Sequence, residues 1–211
     1  MNKEELQQKY KDEKVLVVPN DKLAEYLKNF EQDNVANLID TIADCGTYEY
    51  RYNAELDFDL KQVIPYIILT YNDKIFATER LQGDERLVGR VSIGVGGHVN
   101  PVDSKGWDIN TVDGAQNTII DCIIRELGEE TTVDLSNGFS CQYLTTFTDD
   151  REDVSKVHVC LLAHIKIESD DVDIKETEKL KGKWLTVEEV EQCENIEGWS
   201  EIALGFIKDV I

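Results

Sequence analysis

Apolar positions along the chain change their spacing twice. Val15 to Val18 is a short β-branched and leucine run that predicts a strand. Asn20 then reads as the N-cap of a helix through Phe30, with Leu23, Tyr26 and Leu27 at helical spacing, and Val35 to Ala43 reads as a second helix. From Gln62 onward β signals take over. Val63 to Thr70 is almost continuously apolar, and Tyr71-Asn72-Asp73-Lys74 turns it into Ile75 to Glu79 as a hairpin. Leu87 to Ile93 predicts a further strand. Val157 to Ile167 alternates, placing Val157, Val159, Leu161, Ala163, Ile165 and Ile167 on one face. Helix returns at the end: Thr186 caps Val187 to Cys193 with Glu189 at the capping-box position, and Trp199, Ile202, Phe206 and Val210 form one stripe. Strands mixed with helices, without regular βαβ alternation, predict an α+β fold or an α/β/α sandwich.

The segment from Gly114 to Thr132 carries the chemistry. Ile119, Ile120, Ile123, Ile124 and Leu127 recur at three- and four-residue spacing and predict a buried face. Glu126, Glu129 and Glu130 fall within about 100° of one another on its flank. Three converging carboxylates repel each other, and a divalent cation would relieve that repulsion; hard oxygen donors favour magnesium or manganese. Arg125 stands one turn before Glu129 and can hold that carboxylate. Spacing alone is weak evidence, because a chain this acidic repeats it by chance about once or twice, and Asp149, Glu152 and Asp153 do repeat it.

The full string Arg125-Glu126-Leu127-Gly128-Glu129-Glu130 is more specific. It resembles the R-E-U-x-E-E heart of the box that marks the Nudix hydrolase superfamily (U is a bulky aliphatic). Gly94-Val95-Gly96-Gly97-His98-Val99 resembles the glycine pair that opens the box, and Lys183 to Val190 resembles the tryptophan strand and helix near the end of that fold. The stretch RLVGRVSIGVGGHVNPVD is similar to a branch of predicted phosphoesterases. The resemblance spans roughly residues 60 to 195. It implies a Nudix-like α/β/α sandwich with a mixed sheet over 59–211, preceded by an N-terminal extension over 1–58.

It also implies hydrolysis of a nucleoside diphosphate linked to another moiety, with Mg²⁺ or Mn²⁺ on Glu126, Glu129 and Glu130 and with Arg125 and Glu126 as catalytic residues. Gly96 and Gly97 would admit the substrate's phosphates, and a loop carrying Asp149, Asp150 and Glu152 offers other candidates for the base. A non-catalytic module that senses a nucleotide metabolite is the alternative. The box departs from the family's spacing: Gly97 and Arg125 lie 28 positions apart, which leaves an insertion of about 14 residues. Asp103 or Asn117 then stands where a glutamate is expected, and Thr132 replaces the closing glycine.

Composition narrows the partners. Among 211 residues, 43 Asp and Glu face 22 Lys and Arg, a net charge of −21. Such a surface repels nucleic-acid backbones and anionic lipid, so the expected partner is a small nucleoside diphosphate derivative met through a cation. With 41% hydrophobic residues the chain can fill a core, yet it has no apolar run of membrane-spanning length and no apolar signal segment at its start. Five cysteines without a C-x-x-C pair read as reduced thiols, which fits a cytoplasmic protein; a homodimer is left open. His98 is balanced between phosphate contact and a structural hydrogen bond. His158 and His164 share a strand face about 20 Å apart, too far to share an ion, and read as core or surface. Trp107 reads as a loop anchor, and Glu168 to Asp173 as a solvated turn.

Overall fold

Asn2 opens the first helix: its side chain accepts the Glu5 N–H at 2.9 Å while the Glu5 carboxylate accepts the Asn2 N–H. That helix is α1 (Lys3–Tyr10), followed by β1 (Lys14–Pro19), α2 (Asn20–Leu23), α3 (Asn34–Cys45), β2 (Thr47–Tyr50) and α4 (Arg51–Ala54). Next come β3 (Leu60–Tyr71), β4 (Lys74–Arg80), β5 (Val91–Ser92) and β6 (Val95–Gly96), a 3-10 turn at Pro101–Ser104, and α5 (Val112–Glu130). The chain ends with β7 (Cys141–Phe147), β8 (His158–Lys166), β9 (Leu180–Thr186), α6 (Val187–Glu191) and α7 (Gly198–Ile207). This computed structural model describes residues 2–23, 27, 34–82, 88–149, 151 and 155–211. The chain forms two compact units, one of residues 1–65, 97–123 and 145–161, the other of residues 66–96, 124–144 and 162–211.

The first unit is built on β1, whose residues Val15 to Val18 are at most 1% exposed. β1 pairs antiparallel with β2 (Lys14 opposite Tyr50) and with the start of β3 (Val17 opposite Gln62). Leu38, Ile39 and Ile42 are the buried face of α3. β1 also fixes the segment after the glycines: Leu16 N–H donates to the Val99 carbonyl at 2.8 Å, and the Asn100 amide to the Lys14 carbonyl at 2.8 Å. The insertion inside the box is ordered. Asn100 and Asp103 cap the 3-10 turn reciprocally, and Thr111 caps α5 by accepting the Gly114 N–H at 3.1 Å. Gly114 is required there, because a Cβ would sit 1.8 Å from the Asp108 carbonyl oxygen.

In the second unit β3 and β4 form the expected hairpin, with Tyr71 opposite Lys74 and Asn72 in the left-handed region at φ 53°. β9 pairs with the whole of β4, from Lys74 opposite Thr186 to Arg80 opposite Leu180. Trp184 on β9 packs against Phe76 and Tyr71 and donates its indole N–H to the Asp170 carbonyl. Thr186 and Glu189 form the expected capping box of α6. Tyr66 reaches Ser92 at 2.8 Å and Ser200 at 2.7 Å, and its ring lies where a Cβ on Gly94 would be, 2.5 Å away.

Several expectations change. The helix expected over 20–30 begins as α2, but Tyr26 and most of its remainder lie outside the described residues. Of the strand expected over 87–93, Leu87 lies outside the described residues and the rest forms only β5, two residues long, with Gly89 at φ 80° turning the backbone just before it. β8 is buried on both faces from His158 to Ile165, not on one. In α7 the deepest positions are Ser200, Ala203, Leu204 and Ile207, while Trp199, Ile202 and Phe206 are half-buried and Val210, past the helix, is 40% exposed. On α5, Ile119, Ile123 and Leu127 are fully buried but Ile124 is 37% exposed.

Candidate functional site

The last two turns of α5 gather the carboxylates. Glu126 is 8% exposed, Glu130 is half-buried and Glu129 faces solvent. One Arg125 nitrogen, Nη1, reaches both neighbours, at 2.7 Å from Glu126 and 3.3 Å from Glu129. Burial pushes the Glu130 carboxyl up to about 7, and the negative charges of Glu126, Glu176 and Glu129 add to the rise; Arg80 opposes them. Glu176 is a fourth carboxylate that periodicity could not reveal, because it comes from a segment 46 positions after Glu130. The Arg80 Nε is buried with no hydrogen-bond partner among the described residues.

The C-terminus of α5 is closed by that same segment. Lys175 N–H donates to the Glu130 carbonyl at 2.8 Å, and the Lys175 ammonium to the Gly128 carbonyl. Thr132 N–H donates to the Asp173 carbonyl at 2.9 Å, and Asp173 N–H to the Thr132 hydroxyl at 2.8 Å. A cation at a helix C-terminus also complements its dipole. The expected solvated turn therefore holds an end of the carboxylate helix.

The other candidates divide. Gly96 lies in β6 opposite Tyr66. The Asp103 carboxylate accepts the Asn100 N–H at 2.8 Å, and the Asn117 amide donates to the Asp113 carbonyl within its own helix. Asp149 is gripped by Arg151 through Nε at 2.9 Å and Nη2 at 3.0 Å. That grip holds its carboxyl below the usual carboxylate range and makes it a poor base. Asp150 and Glu152 lie outside the described residues. Trp107 is 48% exposed and so does not anchor its loop by burial. His164 bonds Thr70 Oγ1 at 2.7 Å, as a core histidine would, whereas His158 lies 3.2 Å from His98.

Comparison with known proteins gives these residues a context. No protein-family model matches the chain. Protein YmaB of Bacillus subtilis (strain 168) is 30% identical over 209 residues, covering 93% of this chain and 98% of that protein. Tm1382, classed as a candidate Nudix hydrolase, has a crystal structure that matches at a TM-score of 0.75 and 26% identity, over 94% of this chain and 100% of that one. The chain belongs to the Nudix superfamily. The NUDIX domain of Shewanella oneidensis NrtR shares the fold at a TM-score of 0.50 and 14% identity, over 71% of this chain and 88% of that one; its structure contains ADP ribose.

The expected α+β Nudix sandwich is the fold found. The match to Tm1382 takes in nearly the whole chain, so the N-terminal region is shared with that relative as well. The missing closing glycine of the Nudix box has a structural answer. Among the described residues only Lys11, Asn72 and Lys105 depart from negative φ without being glycine, so Thr132 adopts no left-handed cap. Lys175 donates instead to the helix carbonyls of Glu130 and Gly128, and Asp173 pairs with Thr132 itself.

Proposed function

We propose that the chain hydrolyses a pyrophosphate bond in a nucleoside diphosphate linked to another moiety, with Mg²⁺ or Mn²⁺ held by Glu126, Glu129 and Glu130. The observation that carries this reading is the raised Glu130 carboxyl: four carboxylates crowd one helix end, and their charge is compensated only in part by Arg125 and Arg80. An all-oxygen donor set of this kind fits a hard divalent cation. Such an ion would neutralise phosphate charge and lower the pKa of an attacking water. Arg125 orients Glu126 and Glu129 together, the first buried and the second at the solvent edge. Glu126, the most buried of the set, is our candidate to accept the water's proton. Gly96 and Gly97 present backbone without side chains, which suits approach by a phosphate.

Phosphate release should be screened across dinucleoside polyphosphates, nucleotide sugars, ADP-ribose and modified nucleoside triphosphates, with Mg²⁺ and with Mn²⁺. Metal-dependent turnover of one class is expected, and Glu129→Gln should reduce it at least about a hundredfold while the circular dichroism spectrum is unchanged. Full activity in Glu129→Gln would remove the metal assignment. Thermal stabilisation by one ligand without turnover would favour a sensor over an enzyme.

A further inference from the structure

A second cluster lies in the first unit and shares no residue with the carboxylates of the box helix. His98 Nε2 and His158 Nε2 are 3.2 Å apart, and ligand atoms of Glu55, His98 and His158 all lie within 4.8 Å of one another. Two imidazole nitrogens bound to one tetrahedral ion at about 2.0–2.1 Å sit about 3.3–3.4 Å apart, so the histidines already hold the separation that an ion imposes. Two neutral imidazoles can share a proton at this distance, but that pairing does not call for a carboxylate beside them.

The residues arrive from three separate places. Glu55 follows α4, His98 follows the paired glycines, and His158 starts β8. Each is braced. The Glu55 side chain, 15% exposed, accepts from Arg51 Nε at 3.2 Å; Arg51 in turn pairs with Glu13 at 3.2 Å and stacks over Tyr10 at 4.0 Å. The Cys122 thiol contacts the His98 carbonyl at 3.6 Å, and His158 is 6% exposed. Orientation of ligands by outer partners of this kind is what metal sites require.

We infer that Glu55, His98 and His158 form a binding site for a zinc-class transition-metal ion, separate from the magnesium-type carboxylates of the box helix. Two nitrogens and one carboxylate oxygen suit Zn²⁺, Co²⁺ or Ni²⁺, whereas an oxygen-only set suits Mg²⁺. The ion would fasten the N-terminal region to the residue that follows Gly97. Three protein ligands leave a further position for water.

The test is a Co²⁺ titration of tag-free protein stripped with a chelator, followed by visible spectroscopy. One equivalent should produce a d–d band that Zn²⁺ abolishes and Mg²⁺ leaves in place. His98→Gln and His158→Gln should lose the band, and Glu129→Gln should keep it. Should a histidine variant not fold, Glu55→Gln decides: it should weaken Co²⁺ binding by about 10- to 100-fold. No stoichiometric band in the wild type, a band surviving in both histidine variants, unchanged affinity in Glu55→Gln, or loss of the band in Glu129→Gln would each overturn the site. The readout does not involve turnover, so its outcome is independent of the proposed hydrolysis.

Discussion

Glu130 pays most for the carboxylate cluster. Its folded-state carboxyl lies at about 7 against an ordinary value of 4.5, so the folded state prefers it protonated. The contribution it makes is therefore complete below about pH 4.5 and is lost as pH rises through 7. Glu130→Gln should accordingly stabilise the metal-free protein at about pH 8, by about 1–2 kcal/mol once solvent screening of a half-buried group is allowed for, and do little at about pH 5. A thermal melt at both values checks this; equal gains at both would mean that charge is not the cause. With Mg²⁺ added the order should reverse, because the wild type gains a ligand that the variant lacks. Arg125, Glu126, Glu129 and Glu130 were readable in the sequence because they lie within six consecutive positions. Glu176, Arg80 and Lys175 were not, since nothing local in the sequence says which distant segment returns to a helix end.

At the scale of the element, two glycines in α5 make opposite demands. Gly114 sits where a Cβ would meet the Asp108 carbonyl at 1.8 Å, at the turn that lets Thr111 cap the helix. Gly114→Ala must shift backbone and should cost about 1–3 kcal/mol. Gly128 has open space around its Cβ position. Gly128→Ala should therefore gain about 0.5–1 kcal/mol from helix propensity alone. Urea midpoints of the two variants should move in opposite directions, and a loss in Gly128→Ala would expose a constraint on the Lys175 contact. Periodicity found β1, α3, the hairpin, β8 and α5 because each carries its pattern within one stretch, whereas β9 came from the resemblance around Trp184. It misjudged β8 and α7 for a common reason: spacing reports which residues are apolar, not what covers the opposite face. It passed over α1 and α4, which carry little apolar signal; Leu6 and Ala54 are their buried residues.

For the whole molecule, the charge of −21 and the buried titratable groups shape stability against pH together. Self-repulsion among the acidic side chains eases as they protonate, which favours the fold at mildly acid pH. His164 works against that trend. Burial lowers its pKa below the ordinary value of 6.5, with the Lys166 charge adding to the effect, and its ring bonds Thr70 at 2.7 Å. A depressed histidine contributes stability in full above the unfolded value of 6.5 and loses it as pH falls through the folded value, because the unfolded chain takes up the proton first. Denaturant unfolding at a series of pH values below 6.5 should then show a steeper acid slope in the wild type than in His164→Gln. The variant will be less stable throughout, so the slope and not the midpoint is the diagnostic. Parallel slopes would place the acid sensitivity on another group.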